Sequence, residues 1–256
     1  MIATYHVVIP ARMASRRLPG KPLVNIAGKP LIQHVYEGAL QSAAASVVIA
    51  TDDEQVRRVC AAFGAEVVMT SALHTSGSDR LAECATRKAW PDDTTIVNLQ
   101  GDEPLMPPQC LDQVATLLAS DPAAQLASLY WPLTSTQEIL DPNIVKVVTA
   151  LDGAAIFFSR SVIPFPRDCT DLQAALDIAC EWGCEWKRHI GLYAWRRSAL
   201  QTFSRQQPTP LEQVEKLEQL RVLEHGGRII MAQACRHIPA GVDTPEDLER
   251  VRSIMR

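Results

Sequence analysis

Tyr5-His6-Val7-Val8-Ile9-Pro10 runs into Ala11-Arg12-Met13-Ala14-Ser15-Arg16-Arg17-Leu18-Pro19-Gly20-Lys21-Pro22-Leu23, and this junction decides the fold. The apolar run from Tyr5 to Pro10 reads as a buried first strand. The loop after it carries four basic side chains, Arg12, Arg16, Arg17 and Lys21, with a serine and a Pro-Gly turn. In an α/β sheet, ligands sit beyond the carboxyl ends of the strands. A cationic loop there suits a polyanion such as a triphosphate, while the plainer reading is a solvated basic turn. The backbone phosphate cradles do not fit. Lys21 is followed by Pro22, with no glycine at the Walker spacing, and no Gly-x-Gly-x-x-Gly occurs. Side-chain cations therefore have to do more of any phosphate binding.

Outward from this junction, strands and helices alternate. Leu31, Ile32, Val35, Tyr36, Ala39 and Leu40 form one face of a helix, and Ser46 to Thr51 is a buried strand. Asp52 with Gln55 predicts a capping box for a helix striped by Val56, Val59, Cys60 and Phe63. Glu66 to Met69 is a short strand. The polar loop His74-Thr75-Ser76-Gly77-Ser78 precedes a helix through Trp90, and the strand Thr94 to Gln100 ends in Gly101-Asp102-Glu103-Pro104. This βαβ repetition predicts an α/β fold with a mostly parallel central sheet and flanking helices. The second half changes texture. Leu126 to Tyr130, Val145 to Leu151 and Ala154 to Ser159 are strand-like without long helices between them, which predicts a smaller antiparallel subdomain. His189 to Arg196 and Arg228 to Ala234 are further strands. Leu211, Val214, Leu217, Leu220 and Leu223 predict one amphipathic helix closed by Gly226 and Gly227. Thr244-Pro245-Glu246-Asp247 opens the last helix. Arg167 to Lys187 is the least regular stretch.

The chain has 256 residues and is 47% hydrophobic, enough for a substantial core. We read it as one domain, 1–256, with a first part over about 1–125, a second over about 126–240, and the last helix returning to the core. Its net charge of -4 does not point to nucleic acid. The N-terminus has no charged n-region, its apolar run is too short for a signal peptide, and no stretch is long enough to span a bilayer, so a cytoplasmic protein without a membrane partner is expected. Seven scattered cysteines, Cys60, Cys84, Cys110, Cys169, Cys180, Cys184 and Cys235, predict buried, reduced thiols. Cys180 and Cys184 share a helix face, with no Cys-x-x-Cys or His pair to complete a zinc set.

Several residues carry both a chemical and a local reading. Asp102, at a strand's carboxyl end, is either a turn cap or, beside a triphosphate loop, a Mg²⁺ ligand, because Mg²⁺ is held by one or two carboxylates plus phosphate oxygens. Asp243 is turn chemistry before the last helix unless the fold brings it to Asp102. Ser76, Gly77 and Arg80 lie at a loop-to-helix junction that either caps the helix or hydrogen-bonds a base or ribose. His189 and Tyr193 lie four apart on a strand and so share a face, as core residues or as pocket lining. Glu212 and Gln213 open a helix, where acids are favoured in any case.

Taken together in order, the blocks resemble a known family. They are Pro10-Ala11-Arg12, Arg17-Leu18-Pro19-Gly20-Lys21-Pro22-Leu23, His74-x-Ser76-Gly77, Asn98-x-Gln100-Gly101-Asp102-Glu103-Pro104 and Asp141-Pro142-Asn143-x-Val145-Lys146. They continue with Phe158-Ser159-Arg160-x-x-Ile163-Pro164, Arg188-His189-Ile190-Gly191-x-Tyr193, Leu211-Glu212, Leu217-Glu218-Gln219-Leu220-Arg221 and Gly241-Val242-Asp243-Thr244-Pro245-Glu246-Asp247-Leu248. The chain is similar to the 3-deoxy-manno-octulosonate cytidylyltransferases, within the transferases that make CMP-activated acidic sugars. The resemblance implies a nucleotide-diphospho-sugar transferase-like fold and transfer of CMP from CTP to 3-deoxy-manno-octulosonate (Kdo) for lipopolysaccharide synthesis. It also implies Mg²⁺ as cofactor and a homodimer. Sister activities are transfer to an 8-amino-Kdo or sialic acid type of sugar; a relative without catalysis would only bind nucleotide. By resemblance, Arg12, Lys21, Asp102 and Asp243 are catalytic, with Mg²⁺ on Asp102 and Asp243. Pro10, Ala11, Arg12, Lys21, Ser76, Gly77, Arg80 and Gln100 hold the nucleotide. Arg17, Gln100, Arg160, Arg167, His189, Tyr193, Glu212 and Gln213 line the sugar pocket. Arg16 stands where the family has a small hydroxyl residue, Ser78-Asp79 replaces Thr-Glu, and Cys180 to Trp186 departs from the family pattern.

Overall fold

The computed structural model describes residues 4–14, 17–74, 76–167 and 171–255. Arg16 and Cys169 lie outside the described residues, as does the side chain of Cys180. In chain order the first half runs β1 (Tyr5–Ala11), a 3-10 turn at Lys21–Leu23, β2 (Asn25–Ile26), β3 (Lys29–Pro30), α1 (Leu31–Ala39), β4 (Ser46–Thr51), α2 (Glu54–Ala62), β5 (Glu66–Met69), α3 (Gly77–Arg87), β6 (Thr95–Asn98) and α4 (Pro108–Ser120). The second half continues with β7 (Leu126–Leu133), α5 (Thr136–Leu140), β8 (Lys146–Thr149), β9 (Ala155–Ser159), α6 (Leu172–Glu181), β10 (Trp186–Arg196), α7 (Arg197–Phe203), α8 (Pro210–Glu215), α9 (Gln219–Glu224), β11 (Ile229–Gln233) and α10 (Pro245–Ile254).

A 9-stranded sheet has the order β11-β7-β10-β6-β1-β4-β5, with β8 added to β10 and β9 to β8. β1 pairs in parallel with β4 and β6, and β4 with β5, as the βαβ repetition requires. The antiparallel character of the second half enters through β10, which opposes β6, β7 and β8. β1 is apolar apart from His6 because both of its faces are covered. Tyr5, Val7, Ile9 and Ala11 pack with α1 and α4 through Ile32, Val35, Leu111 and Val114. Val8 points the other way, into Leu81, Ala82 and Ala85 of α3. A third cluster joins Ile26 and Leu31 to Val242, Leu248 and Val251, with Leu18 and Val24 packed against it. That cluster ties α10 to the loop after β1, so the two ends of the chain meet.

Four local expectations are corrected. The cap of α2 is Asp53, whose side chain accepts from Gln55 and Val56 N–H; Asp52 instead faces the Arg80 guanidinium at 3.0 Å. The amphipathic stretch 211–223 is two short helices, because Lys216 adopts a left-handed conformation at φ 55°. Leu211 and Val214 are accordingly exposed instead of joining a continuous stripe. The irregular span 167–187 contains α6. Among the thiols, Cys60, Cys84 and Cys110 are buried as expected, but Cys235 is exposed.

A left-handed lysine is strained by its Cβ, and glycine relieves that strain at the cost of some unfolded-chain entropy. Lys216→Gly is expected to stabilise the fold by about 0.5–1 kcal/mol, read as a rise of a few degrees in Tm. A fall in Tm would show that Lys216 makes a contact worth more than its strain.

Candidate active site

The carboxyl ends of β1 and β6 open into a cleft of ≈ 370 Å³ lined by Pro10, Ala11, Arg12, Arg17, Lys21, Gly77, Gln100, Asp102 and Asp243. A second cavity of ≈ 280 Å³, around Gln125, Trp195 and Arg196, lies at the opposite ends of the strands. Two glycines bring the walls of the first cleft together. A Cβ on Gly101 would strike Pro10 O at 2.8 Å, and one on Gly241 would strike Asp102 O at 2.9 Å. Val242 N–H donates to Asp102 O at 2.8 Å, so the segment before α10 is bonded directly to the turn after β6.

At the centre of the cleft, Lys21 Nζ donates to Asp102 Oδ2 at 2.5 Å and to Asp243 Oδ1 at 3.0 Å. Burial works against the charge on Lys21, but the two carboxylates outweigh it and hold its pKa above the ordinary lysine value. Arg17 reaches the outer oxygen of Asp243 at 3.0 Å, an exposed pair of little energetic weight. Arg12 Nη2 donates to the Ser76 carbonyl. The Ser76 side chain accepts from Asp79 N–H and caps α3, so the capping role is real, while its carbonyl is tied to the cationic loop. Gly77 then faces Pro10 and the Gln100 amide across the cleft.

Arg80 is not on the cleft lining. Its side chain is fully buried, with Nη1 on Thr70 Oγ1 and Nη2 3.0 Å from Asp52. Its Nε has no hydrogen-bond partner among the described residues. After burial, the Arg80 charge is the strongest influence lowering the Arg12 pKa, so the two guanidiniums are neighbours.

Beside Gly77 a second group of residues is less charged. His189 and Tyr193 lie on one face of β10 with ring centres 5.4 Å apart, despite a bulge between Ile190 and Tyr193. Ser128 Oγ fastens that bulge through Ile190 O and Leu192 O and lies 3.2 Å from His189 Nε2. Phe158 meets the His189 ring edge-on at 4.9 Å. Burial, then the Arg188 charge, pushes the His189 pKa down to about 3, and burial pushes the Tyr193 phenol up. Both rings are therefore neutral at neutral pH.

Glu218 is the residue that the sequence reading missed. Its carboxylate accepts from Ser78 Oγ at 2.9 Å and faces Tyr193 and Arg12; the residue is exposed at its edge, and desolvation where the carboxylate packs inward raises its pKa. Leu-Glu-Gln occurs at 211–213 and again at 217–219, and the second copy meets Ser78, next to Gly77 of the cleft lining. Glu212 makes a buried two-point ion pair with Arg221 at 2.5 and 2.7 Å and caps its own helix at Thr209 N–H. Gln213 is exposed and donates to Pro208 O. Neither is among the residues that line the cleft. Arg160 donates to the carbonyls of Glu215 and Pro142, and Arg167 is exposed near the end of a described stretch. Glu103, also missed, packs against Gly241. Burial and then the Asp102 charge push its carboxyl up to about 7.

The cytidylyltransferase family model matches residues 6–229. A 3-deoxy-manno-octulosonate cytidylyltransferase of Nitrosococcus oceani is 48% identical over 254 residues, covering 98% of this chain and 96% of the relative. One of Pseudomonas fluorescens SBW25 is 49% identical over 255 residues, covering 100% and 99%. The chain belongs to the 3-deoxy-manno-octulosonate cytidylyltransferase family. It is a nucleotidyltransferase. The solved structure of a CMP:2-keto-3-deoxy-manno-octonic acid synthetase complexed with CTP matches with a TM-score of 0.86 and 42% identity over 99% of this chain and 98% of that one. A 4-diphosphocytidyl-2C-methyl-D-erythritol synthase shares the fold alone, with a TM-score of 0.60 at 16% identity over 99% of this chain and 100% of that one.

Glu212 and Glu218 separate by stability. Glu212→Gln is expected to cost about 3–5 kcal/mol, because it leaves Arg221 buried without its counter-charge. Glu218→Gln keeps an acceptor for Ser78 and is expected to cost less than about 1 kcal/mol. Thermal or urea unfolding of the two variants checks this; equal losses would contradict the assignment.

Proposed function

We propose that this chain transfers CMP from CTP to the anomeric hydroxyl of Kdo, releasing pyrophosphate, as a cytoplasmic step toward lipopolysaccharide. The observation that carries the proposal is the cleft itself, where Arg12, Arg17 and Lys21 meet Asp102 and Asp243 beyond the strand ends. The anomeric oxygen attacks the α-phosphorus and pyrophosphate leaves in line. The protein supplies position and charge instead of covalent chemistry. Arg12 and Lys21 bind the triphosphate and offset charge on the leaving pyrophosphate. Pro10, Ala11, Ser76, Gly77 and Gln100 hold the nucleoside. Arg80, buried off the cleft lining, acts on the same ligand only through its neighbour Arg12.

The two carboxylates fit Mg²⁺. Asp102 and Asp243 already share one cation, Lys21, and hard oxygen donors are what Mg²⁺ takes. Among the described residues no third His, Cys, Asp or Glu joins them, which leaves the remaining positions to phosphate and water. Asp102 and Asp243 would hold Mg²⁺, which would supply Lewis-acid polarisation of the α-phosphate and lower the pKa of the attacking hydroxyl. Lys21, on the loop that faces both carboxylates, is placed to turn to phosphate oxygens of the nucleotide.

Residues over about 126–240 form the sugar side. Neutral His189 and Tyr193 offer hydrogen bonds to sugar hydroxyls without repelling an anionic sugar, with Glu218 as an acceptor beside them. Arg160 and Arg167 lie on the same half of the chain for the sugar carboxylate. Exposed Leu140, Phe165, Trp182 and Val214 on this half supply apolar surface for a homodimer. Among the described residues no helix is long and apolar enough to cross a membrane.

Pyrophosphate release with CTP, Mg²⁺ and Kdo, set beside 8-amino-Kdo and a sialic acid, tests the activity. Kdo is expected to give the highest kcat/KM, and chelation of the metal to stop turnover. A higher value with either other sugar would move the assignment to a sister enzyme. Asp102→Asn is expected to lower kcat by roughly 10²–10³-fold with the fold intact. Lys21→Ala should lower kcat/KM for CTP, and an unchanged value removes Lys21 from the triphosphate site. Glu218→Gln should raise the KM for Kdo more than that for CTP.

A further inference from the structure

Away from the cleft lining, two cysteines are in contact. Cys110, in the first turn of α4, and Cys235, just beyond β11, lie 125 residues apart in sequence with their Sγ atoms 3.8 Å apart. Cys110 is buried and Cys235 exposed, so one thiol is open to a small reagent and the other waits behind it. A single glutamine clamps the two segments in both directions. Cys235 N–H donates to Gln113 Oε1 at 2.8 Å, and Gln113 Nε2 donates to Gln233 O at 2.7 Å. The sulfurs are thus held face to face by the backbone and are not brought together by side-chain chance. Upstream of Cys110 the chain leads back to Asp102, and downstream of Cys235 it leads to Asp243; Val242 N–H already joins these two ends at Asp102 O.

We infer that Cys110 and Cys235 form a reversible disulfide on exposure to hydrogen peroxide, a modification site that ties α4 to the segment carrying Asp243. The exposed Cys235 sulfur attacks one peroxide oxygen. The O–O bond breaks, a sulfenic acid forms, and the departing hydroxide takes the thiol proton to become water. The Cys110 sulfur then attacks the sulfenyl sulfur. The S–S bond forms, the S–O bond breaks, and the second hydroxide leaves as water with the Cys110 proton. The two sulfurs lose two electrons and the peroxide gains them. Burial and the neighbouring sulfur push the Cys110 thiol up to about 12, which makes it the resolving and not the attacking sulfur. The gap has to close from 3.8 Å to about 2.05 Å, within reach of side-chain rotation.

The test is a few-fold molar excess of peroxide on the full-length protein, followed by alkylation, non-reducing digestion and mass spectrometry. A peptide linked through Cys110 and Cys235, lighter by two hydrogens and split by dithiothreitol, is expected. A rise in Tm of about 5–10 °C that the same reductant reverses should accompany it. Cys235→Ser, at an exposed position, should fold normally and lose both the linked peptide and the rise. Recovery of Cys235 as sulfinic acid with Cys110 still alkylatable after unfolding would overturn the inference. So would a peroxide-dependent rise in Tm that persists in Cys235→Ser.

Discussion

The ammonium of Lys21 between Asp102 and Asp243 is the contact on which the rest of the site depends. Two carboxylates this close in a partly desolvated cleft repel each other; unit charges 4 Å apart at an effective dielectric of 20 interact by about 4 kcal/mol. A cation between them turns that repulsion into attraction. The fold supplies it from the loop after β1, with one carboxylate from the turn after β6 and the other from the segment before α10. The three segments are brought together by the strand ends, by the close approaches at Gly101 and Gly241, and by the cluster of Leu18, Val24, Leu31, Val242 and Leu248. The apolar packing of α10 thereby acts on the electrostatics of the cleft, because it delivers Asp243.

The cleft is charged and the group beside it is neutral, and the causes differ: ion pairing in the first, burial in the second. Around Lys21, the two carboxylates hold the ammonium charged against its burial. Around His189 and Tyr193, desolvation holds an imidazole and a phenol uncharged. Two buried arginines flank this boundary. Arg80, facing Asp52, stands behind Arg12; Arg221, paired with Glu212, anchors the turn that presents Glu218. Their carboxylate partners are structural, and this is why Glu212 is not free for a ligand.

Much of the chemistry was legible in the residues themselves. The run from Tyr5 to Pro10, apolar but for His6, reads as a strand covered on both faces, and the cations after it stand where the α/β rule puts a ligand. Asp102 and Asp243 were each ambiguous alone, because a turn aspartate looks the same with or without a partner across the fold. What the sequence could not carry was backbone geometry at single residues. The stripe from Leu211 to Leu223 fits one helix by periodicity, yet a left-handed Lys216 breaks it, leaves Leu211 and Val214 exposed, and lets Glu218 of the second Leu-Glu-Gln meet Ser78. Asp52 and Asp53 are adjacent and chemically alike, so only the path of the chain separates the ion-pair partner from the cap. The buried position of Arg80 likewise follows from the ends of β4 and β5, just past which Asp52 and Thr70 receive it.

In the proposed reaction Lys21 holds the place of a cation between two carboxylates until substrate arrives. The decisive measurement is a crystal structure of this protein with CTP and Mg²⁺. Lys21 Nζ is expected to leave Asp102 and Asp243 for phosphate oxygens, with Mg²⁺ within about 2.1 Å of a carboxylate oxygen of each aspartate. Lys21 still bridging both carboxylates, with nucleotide and metal bound elsewhere, would contradict it.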